Sequence, residues 1–150
     1  MWESTLLVER YELHREVMES IMIDAKYQVF SAVIKGSDLP YDSSKNRLRH
    51  SFREFDSPEG LKAILERFPE IFAAFLNIES FSSSTKDADR GNLFNEYFPR
   101  IVVPTLTKIV LTSALPEQEV RERYALAFGN VRTSYLRKPF SGTELLASLK

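Results

Sequence analysis

Four polar clusters, each directly following an apolar run, are the places where this chain could do chemistry. Glu9 and Arg10 follow residues 5–8, and Asn77, Ile78 and Glu79 follow residues 71–76. Thr112 and Ser113 follow residues 108–111, and Lys138 lies just beyond residues 131–136. Other familiar chemistry is missing. The five glycines are scattered, and none belongs to a GxxxxGK or GxGxxG phosphate loop. There is no Ser-His-Asp signature and no group of acids and histidines at metal-ligand spacing. The absence of cysteine excludes disulfides, thiolate metal sites and a thiol nucleophile. His14 and His50 are far apart, and His14, beside Arg15 and Glu16, reads as an ordinary surface histidine. A catalytic reading would therefore rest on fold alone, a poor warrant.

The elements that must position these clusters alternate between strand and helix. Residues 5–8 and 27–33 have strand composition, and between them Leu13, Val17 and Ile21 fall at helical spacing. Residues 36–46 collect Gly, Pro, Asp, Ser and Asn, as loops do, and residues 47–55 alternate well enough to be a hairpin arm returning on the second strand. Asp56, Ser57, Pro58 and Glu59 open the clearest helix, whose apolar stripe is Leu61, Ile64, Leu65 and Phe68. Residues 71–76 are apolar almost throughout, as a central strand covered on both faces must be. Residues 81–91 have the composition of a flexible loop. A helix is expected over 93–101, a strand over 108–111, a helix over 116–128 and a strand over 131–136. The last helix is introduced by a capping box from Ser141 to Glu144.

Such βα repeats predict one α/β domain spanning residues 1–150, a doubly wound five-stranded parallel sheet in the flavodoxin-like order with an insertion at about 36–55 after the second strand. Ligand crevices in these sheets lie at the carboxyl ends of the strands, which is where the four clusters fall. At 150 residues, 43% hydrophobic and 27% charged, the composition is that of an ordinary globular domain. Apolar runs are too short to cross a bilayer, the opening residues do not resemble a signal peptide, and the expected setting is cytoplasmic. A net charge of −1 argues against a general nucleic-acid binder. The local basic group Lys45, Arg47, Arg49, His50 and Arg53 reads as a solvated face.

Residues 6–17 resemble the opening of a response-regulator receiver domain, in which a hydrophobic strand ends in a pair of acids before the first helix. Residues 109–114, Ile-Val-Leu-Thr-Ser-Ala, resemble its fourth strand with the switch Thr or Ser. Residues 135–140, Tyr-Leu-Arg-Lys-Pro-Phe, resemble its fifth strand with an aromatic, a lysine and a following proline. In that family an Asp at the end of strand three accepts a phosphoryl group, two acids hold magnesium, and Thr/Ser and Lys contact the phosphate. The chemistry is that of a carboxylate nucleophile whose charge is offset by a metal and a lysine. Here the resemblance places Asn77 at the acceptor position, where an amide cannot form an acyl phosphate. Arg10 replaces the second acid and puts a cation where the metal would sit, so no cofactor is expected and Mg²⁺ binding is disfavoured. Glu9, Thr112 and Lys138 remain. Lys138 is available to bond Asn77 or pair with Glu9, and Arg10 to neutralise Glu9, which would lock the pocket.

The resemblance implies a degenerate receiver, a pseudo-receiver in two-component or phosphorelay signalling that acts by docking to a histidine kinase or effector protein. The family's docking and dimerisation face maps onto residues 116–128, 131–140 and 141–150. Its candidate contacts are Arg121, Arg123, Tyr124 and Arg137, with Tyr135 as a switch aromatic that turns in or out. Two alternatives stand beside this expectation: a receiver still phosphorylated on a displaced acid, Glu79 or Asp56 being nearby in sequence, and a small enzyme of flavodoxin-like fold.

Overall fold

A computed structural model describes residues 3–35, 52–82, 93–101, 103–124 and 132–150. In chain order the elements are β1 (Glu3–Val8), α1 (Glu12–Asp24), β2 (Tyr27–Ile34), β3 (Phe52–Phe55), α2 (Pro58–Arg67) and β4 (Ile71–Asn77). A 3₁₀ turn (Ile78–Phe81), α3 (Phe94–Tyr97) and a second 3₁₀ turn (Phe98–Arg100) lead to β5 (Lys108–Ser113), α4 (Glu117–Arg123), β6 (Thr133–Arg137) and α5 (Gly142–Ala147). The strands form one six-stranded sheet in the order β3-β2-β1-β4-β5-β6, parallel throughout. The doubly wound α/β fold is thus present, with one strand more than expected.

That extra strand corrects the hairpin expectation. Phe52–Phe55 runs parallel to β2, and Lys35 N donates to Phe55 O at 2.7 Å. A parallel pair cannot be closed by a hairpin turn, so β3 is not a hairpin arm returning on β2. This direction carries Phe55 to the carboxyl end of the sheet, where it is buried against Phe81 and Tyr97 with ring centroids 6.2 and 5.6 Å away. Lys45, Arg47, Arg49 and His50 lie outside the described residues. Arg53 sets its guanidinium over the Phe68 ring, 5.4 Å from the centroid.

Strand alternation divides the core. Leu6, Val8, Phe30, Ala74, Leu76 and Leu111 face α2, α3 and α4 over one side, while Leu7, Val29, Phe75 and Val110 face Met18, Met22, Leu145 and Leu149 on the other. Caps start two of the helices: Ser57 Oγ accepts from Gly60 N at 3.0 Å with Pro58 in the first turn, and Ser141 and Glu144 form the expected capping box at 3.1 Å each way.

The apolar stripe expected on α1 is not its buried face. Leu13 is 71% and Val17 51% exposed, whereas Arg15, Met18, Glu19 and Met22 point inward. The reason is polar. Glu19 bonds Ser31 Oγ, and Arg15 Nη1 donates to Glu9 O at 3.2 Å while stacking over Phe52, so the helix turns a charged pair toward β2 and β3. The expected 93–101 helix is also shortened, since Pro99 cannot supply the amide needed to continue α3 and the chain tightens into a 3₁₀ turn. α4 ends at Arg123, residues 125–131 of the expected helix and final strand lie outside the described residues, and so do 83–91 of the expected loop.

Candidate functional site

The ends of β1, β4, β5 and β6 bring all five expected pocket residues together. Glu9, Arg10, Asn77 and Thr112 are each at least 98% buried, and Lys138 reaches in from the loop after β6 with its side chain 14% exposed. The Lys138–Pro139 peptide bond is cis. Lys138 Nζ makes an ion pair with Glu9 Oε1, and the same ammonium donates to His14 Nδ1 at 2.9 Å. The other oxygen of Glu9 accepts from Tyr11 N at 3.3 Å. Between the two expectations for Lys138, pairing with Glu9 is the one observed.

Arg10 does not neutralise Glu9. Its Nη1 donates to Ser82 O at 3.0 Å, and its guanidinium lies over the Tyr11 ring, 5.2 Å from the centroid. Glu9 already has Lys138, and the Arg10 stem emerges on the side of the 3₁₀ turn, where backbone carbonyls need donors.

Asn77 ends β4 and uses both ends of its amide. Its Nδ2 faces Thr112 O and Thr112 Oγ1, each at 3.3 Å, and Glu79 Oε2 at 3.2 Å. Its Oδ1 accepts from Ser80 Oγ at 2.5 Å, and that hydroxyl in turn accepts from Arg10 N at 2.9 Å. Glu79 continues the network with its other oxygen, which accepts from Ser113 Oγ at 2.6 Å and Ala114 N at 3.2 Å. Ser113 Oγ also accepts from Leu115 N at 3.1 Å. Tyr135 is turned in: its hydroxyl bonds Leu115 O and Ser113 O, the latter at 3.1 Å, and burial holds its pKa above the ordinary tyrosine value.

Of the two hydroxyls that end β5, Thr112 serves Asn77 and Ser113 serves Glu79. Glu79 and Ser113, expected at the strand ends, therefore belong to the site, and so do His14 and Ser80, which were not singled out for it. His14 carried no sequence signal beyond its place on the first turn of α1.

These donors do not suit a divalent cation. Magnesium prefers an octahedral shell of oxygens from carboxylates, phosphates and water. Here the single carboxylate after β1 is bound to an ammonium, its neighbour is an arginine, and β4 ends in an amide. Among the described residues, no three His, Asp or Glu side chains converge as metal ligands would.

The fold has solved counterparts. The receiver domain of a modulated diguanylate cyclase from Desulfovibrio desulfuricans superposes with a TM-score of 0.61 over 99% of this chain and 91% of its own, at 15% identity. A two-component response regulator from Clostridium difficile gives 0.55 over 98% and 92% at 16% identity, and a response regulator from Thermotoga maritima 0.53 over 99% and 95% at 15%. This is the receiver fold. No family model and no curated protein matches the sequence, so the likeness is one of fold and not of residue identity. Within the receiver fold the site occupies the carboxyl-end crevice, as expected of a doubly wound sheet.

Beside the site an apolar cavity of about 470 Å³ opens between α1 and the loop after β6, lined by Leu13, Val17, Met18, Pro139 and Phe140, with His14 and Lys138 at its rim. No helix among the described residues is long and apolar enough to cross a membrane.

Proposed function

We propose that this chain is a receiver-type signalling module that works by docking to a protein partner and not by phosphotransfer. One observation carries the reading: the crevice is closed by its own side chains, with Lys138 committed to Glu9 and an amide, Asn77, where a carboxylate nucleophile would stand. A phosphoryl group entering here would meet an arginine beside Glu9, no acyl acceptor at Asn77 and a lysine whose charge is already matched.

The docking face follows α4, β6 and α5, with Arg121, Arg123 and Arg137 as exposed contacts to a histidine kinase, an effector or a second copy. Arg121 and Arg123 pair along the helix with Glu117 and Glu119 at 3.6 and 3.0 Å, so this face is of mixed charge. Tyr124 is 7% exposed and packs edge-on to Phe94 at 5.5 Å, so it supports the face from beneath and is not itself a contact. The exposed Leu13 and Val17 favour a second contact surface along the α1 cavity, since large apolar groups left in water are commonly partner sites.

The direct test is an amide NMR titration with magnesium followed by beryllofluoride, which mimics an aspartyl phosphate. No shifts around Asn77, Thr112 and Lys138 are expected. Saturable, magnesium-dependent shifts there would overturn the reading.

A further inference from the structure

Glu79 is the side chain whose position the docking reading leaves unused. It leaves β4 two residues past Asn77, yet its carboxylate crosses to the turn after β5 and takes both donors there: Ser113 Oγ at 2.6 Å and Ala114 N at 3.2 Å. A hydroxyl and a backbone N–H converging on one point form a cradle for an oxyanion. The same turn holds Tyr135. Its hydroxyl bonds the carbonyls of Ser113 and Leu115, Arg137 Nε donates to Ala114 O at 3.3 Å, and Lys138 N donates to Ser113 O at 2.8 Å. The carbonyls of residues 113–115 therefore all receive donors from the β6 side, while Glu79 fixes the hydroxyl and amide of the same turn from the β4 side.

We propose that Glu79 is a tethered anion that permanently occupies this cradle and thereby holds the 113–115 turn and Tyr135 in one inward arrangement. A carboxylate attached two residues from the strand end is present at an effective concentration that free millimolar oxyanions do not match. The turn is set from within, and the surface it supports, from Ala114 through α4 to Arg137, is presented without any external ligand. This deepens the docking reading and rests on it for the meaning of a fixed surface; the geometry of the cradle stands without it.

The test uses the whole chain, the Glu79→Ala and Glu79→Gln variants, and inorganic phosphate as probe, with the Ala114 amide and the Tyr135 ring followed by NMR. In the native chain phosphate leaves both signals unmoved. In Glu79→Ala both signals move, and phosphate returns them toward the native positions in a saturable way, binding at least about tenfold more tightly than to the native chain. In Glu79→Gln the amide oxygen still accepts from Ser113 and Ala114, so the fold is kept while the Ala114 amide shifts and Tyr135 shows a second population. Should Glu79→Ala fail to fold, this variant decides the matter. Tyr135 signals that stay native in the folded variants overturn the proposal, and so does equal phosphate binding by native and Glu79→Ala chains. Beryllofluoride capture read at Asn77 would instead remove the docking reading, so the two failures are separate.

Discussion

Replacing Lys138 by methionine removes the cation paired with a carboxylate that has no access to water. Glu9 is fully buried and the Lys138 side chain is 14% exposed, so the pair lies close to the interior limit. At an effective dielectric near 20, unit charges about 4 Å apart attract by roughly 4 kcal/mol, and leaving one member of a buried pair behind costs about 3–5 kcal/mol. Partial exposure of the lysine lowers the expectation to about 3 kcal/mol. With an m-value of about 2 kcal/mol/M the urea midpoint falls by about 1.5 M, and the thermal midpoint by roughly 6–12 °C. The double variant Glu9→Gln, Lys138→Met removes both charges and recovers most of the loss, which a double-mutant cycle reads as a coupling of about 2 kcal/mol. A Lys138→Met midpoint within 0.25 M of native, taken at the same assumed m-value as about 0.5 kcal/mol, or a coupling near zero, would show that the pair is ornamental and that the crevice is not closed by it.

Asn77→Asp exchanges a donor toward Glu79 for a second carboxylate; it is expected to destabilise the domain by about 1–3 kcal/mol at neutral pH, with the loss diminishing in acid, as followed by urea unfolding at several pH values. Burial raises the pKa of Tyr135, and of Tyr97 deeper in the core, so the folded state retains these protons where the unfolded chain has lost them. Stability from this source is complete below about pH 10 and declines as pH rises beyond it, and Tyr135→Phe makes that alkaline decline shallower. On α1, Leu13→Ala and Val17→Ala change stability by less than about 0.5 kcal/mol, while Met22→Ala costs about 2–5 kcal/mol, all measured by chemical denaturation.

The architecture was legible because central parallel strands announce themselves. Residues 71–76 and 108–111 are apolar at nearly every position, and no arrangement but burial on both faces accommodates them. Ser57-Pro58 and Ser141-Gly142-Thr143-Glu144 are local signals that act within one helical turn, and both helices begin where those signals lie. α1 misled because its apolar spacing is real but its inward face is polar. Periodicity cannot reveal that Glu19 will meet Ser31 across the sheet, or that Arg15 will lie over Phe52, since those partners come from strands 12 and 37 residues away. β3 was placed but misdirected, because strand composition carries no information on parallel or antiparallel pairing. The same limit applies to the site. Glu9, Asn77, Glu79, Thr112, Ser113 and Lys138 were identifiable by their place at strand ends, but the partners of Glu79 and the role of Ser80 depend on the 3₁₀ turn over residues 78–81.

That turn also explains how the crevice holds its buried polar groups. Six polar side chains, Glu9, Arg10, Asn77, Ser80, Thr112 and Ser113, are almost wholly buried there, and each would cost free energy if left unpaired. Within the crevice these groups bond largely to one another. Glu9 takes Lys138, Asn77 links Ser80 to Thr112, and Glu79 spans the gap to Ser113 and Ala114. These links join β1, β4, the 3₁₀ turn, β5 and the loop after β6, so the network fixes their relative positions. The free energy of these contacts goes into holding the strand ends and the 3₁₀ turn in one arrangement.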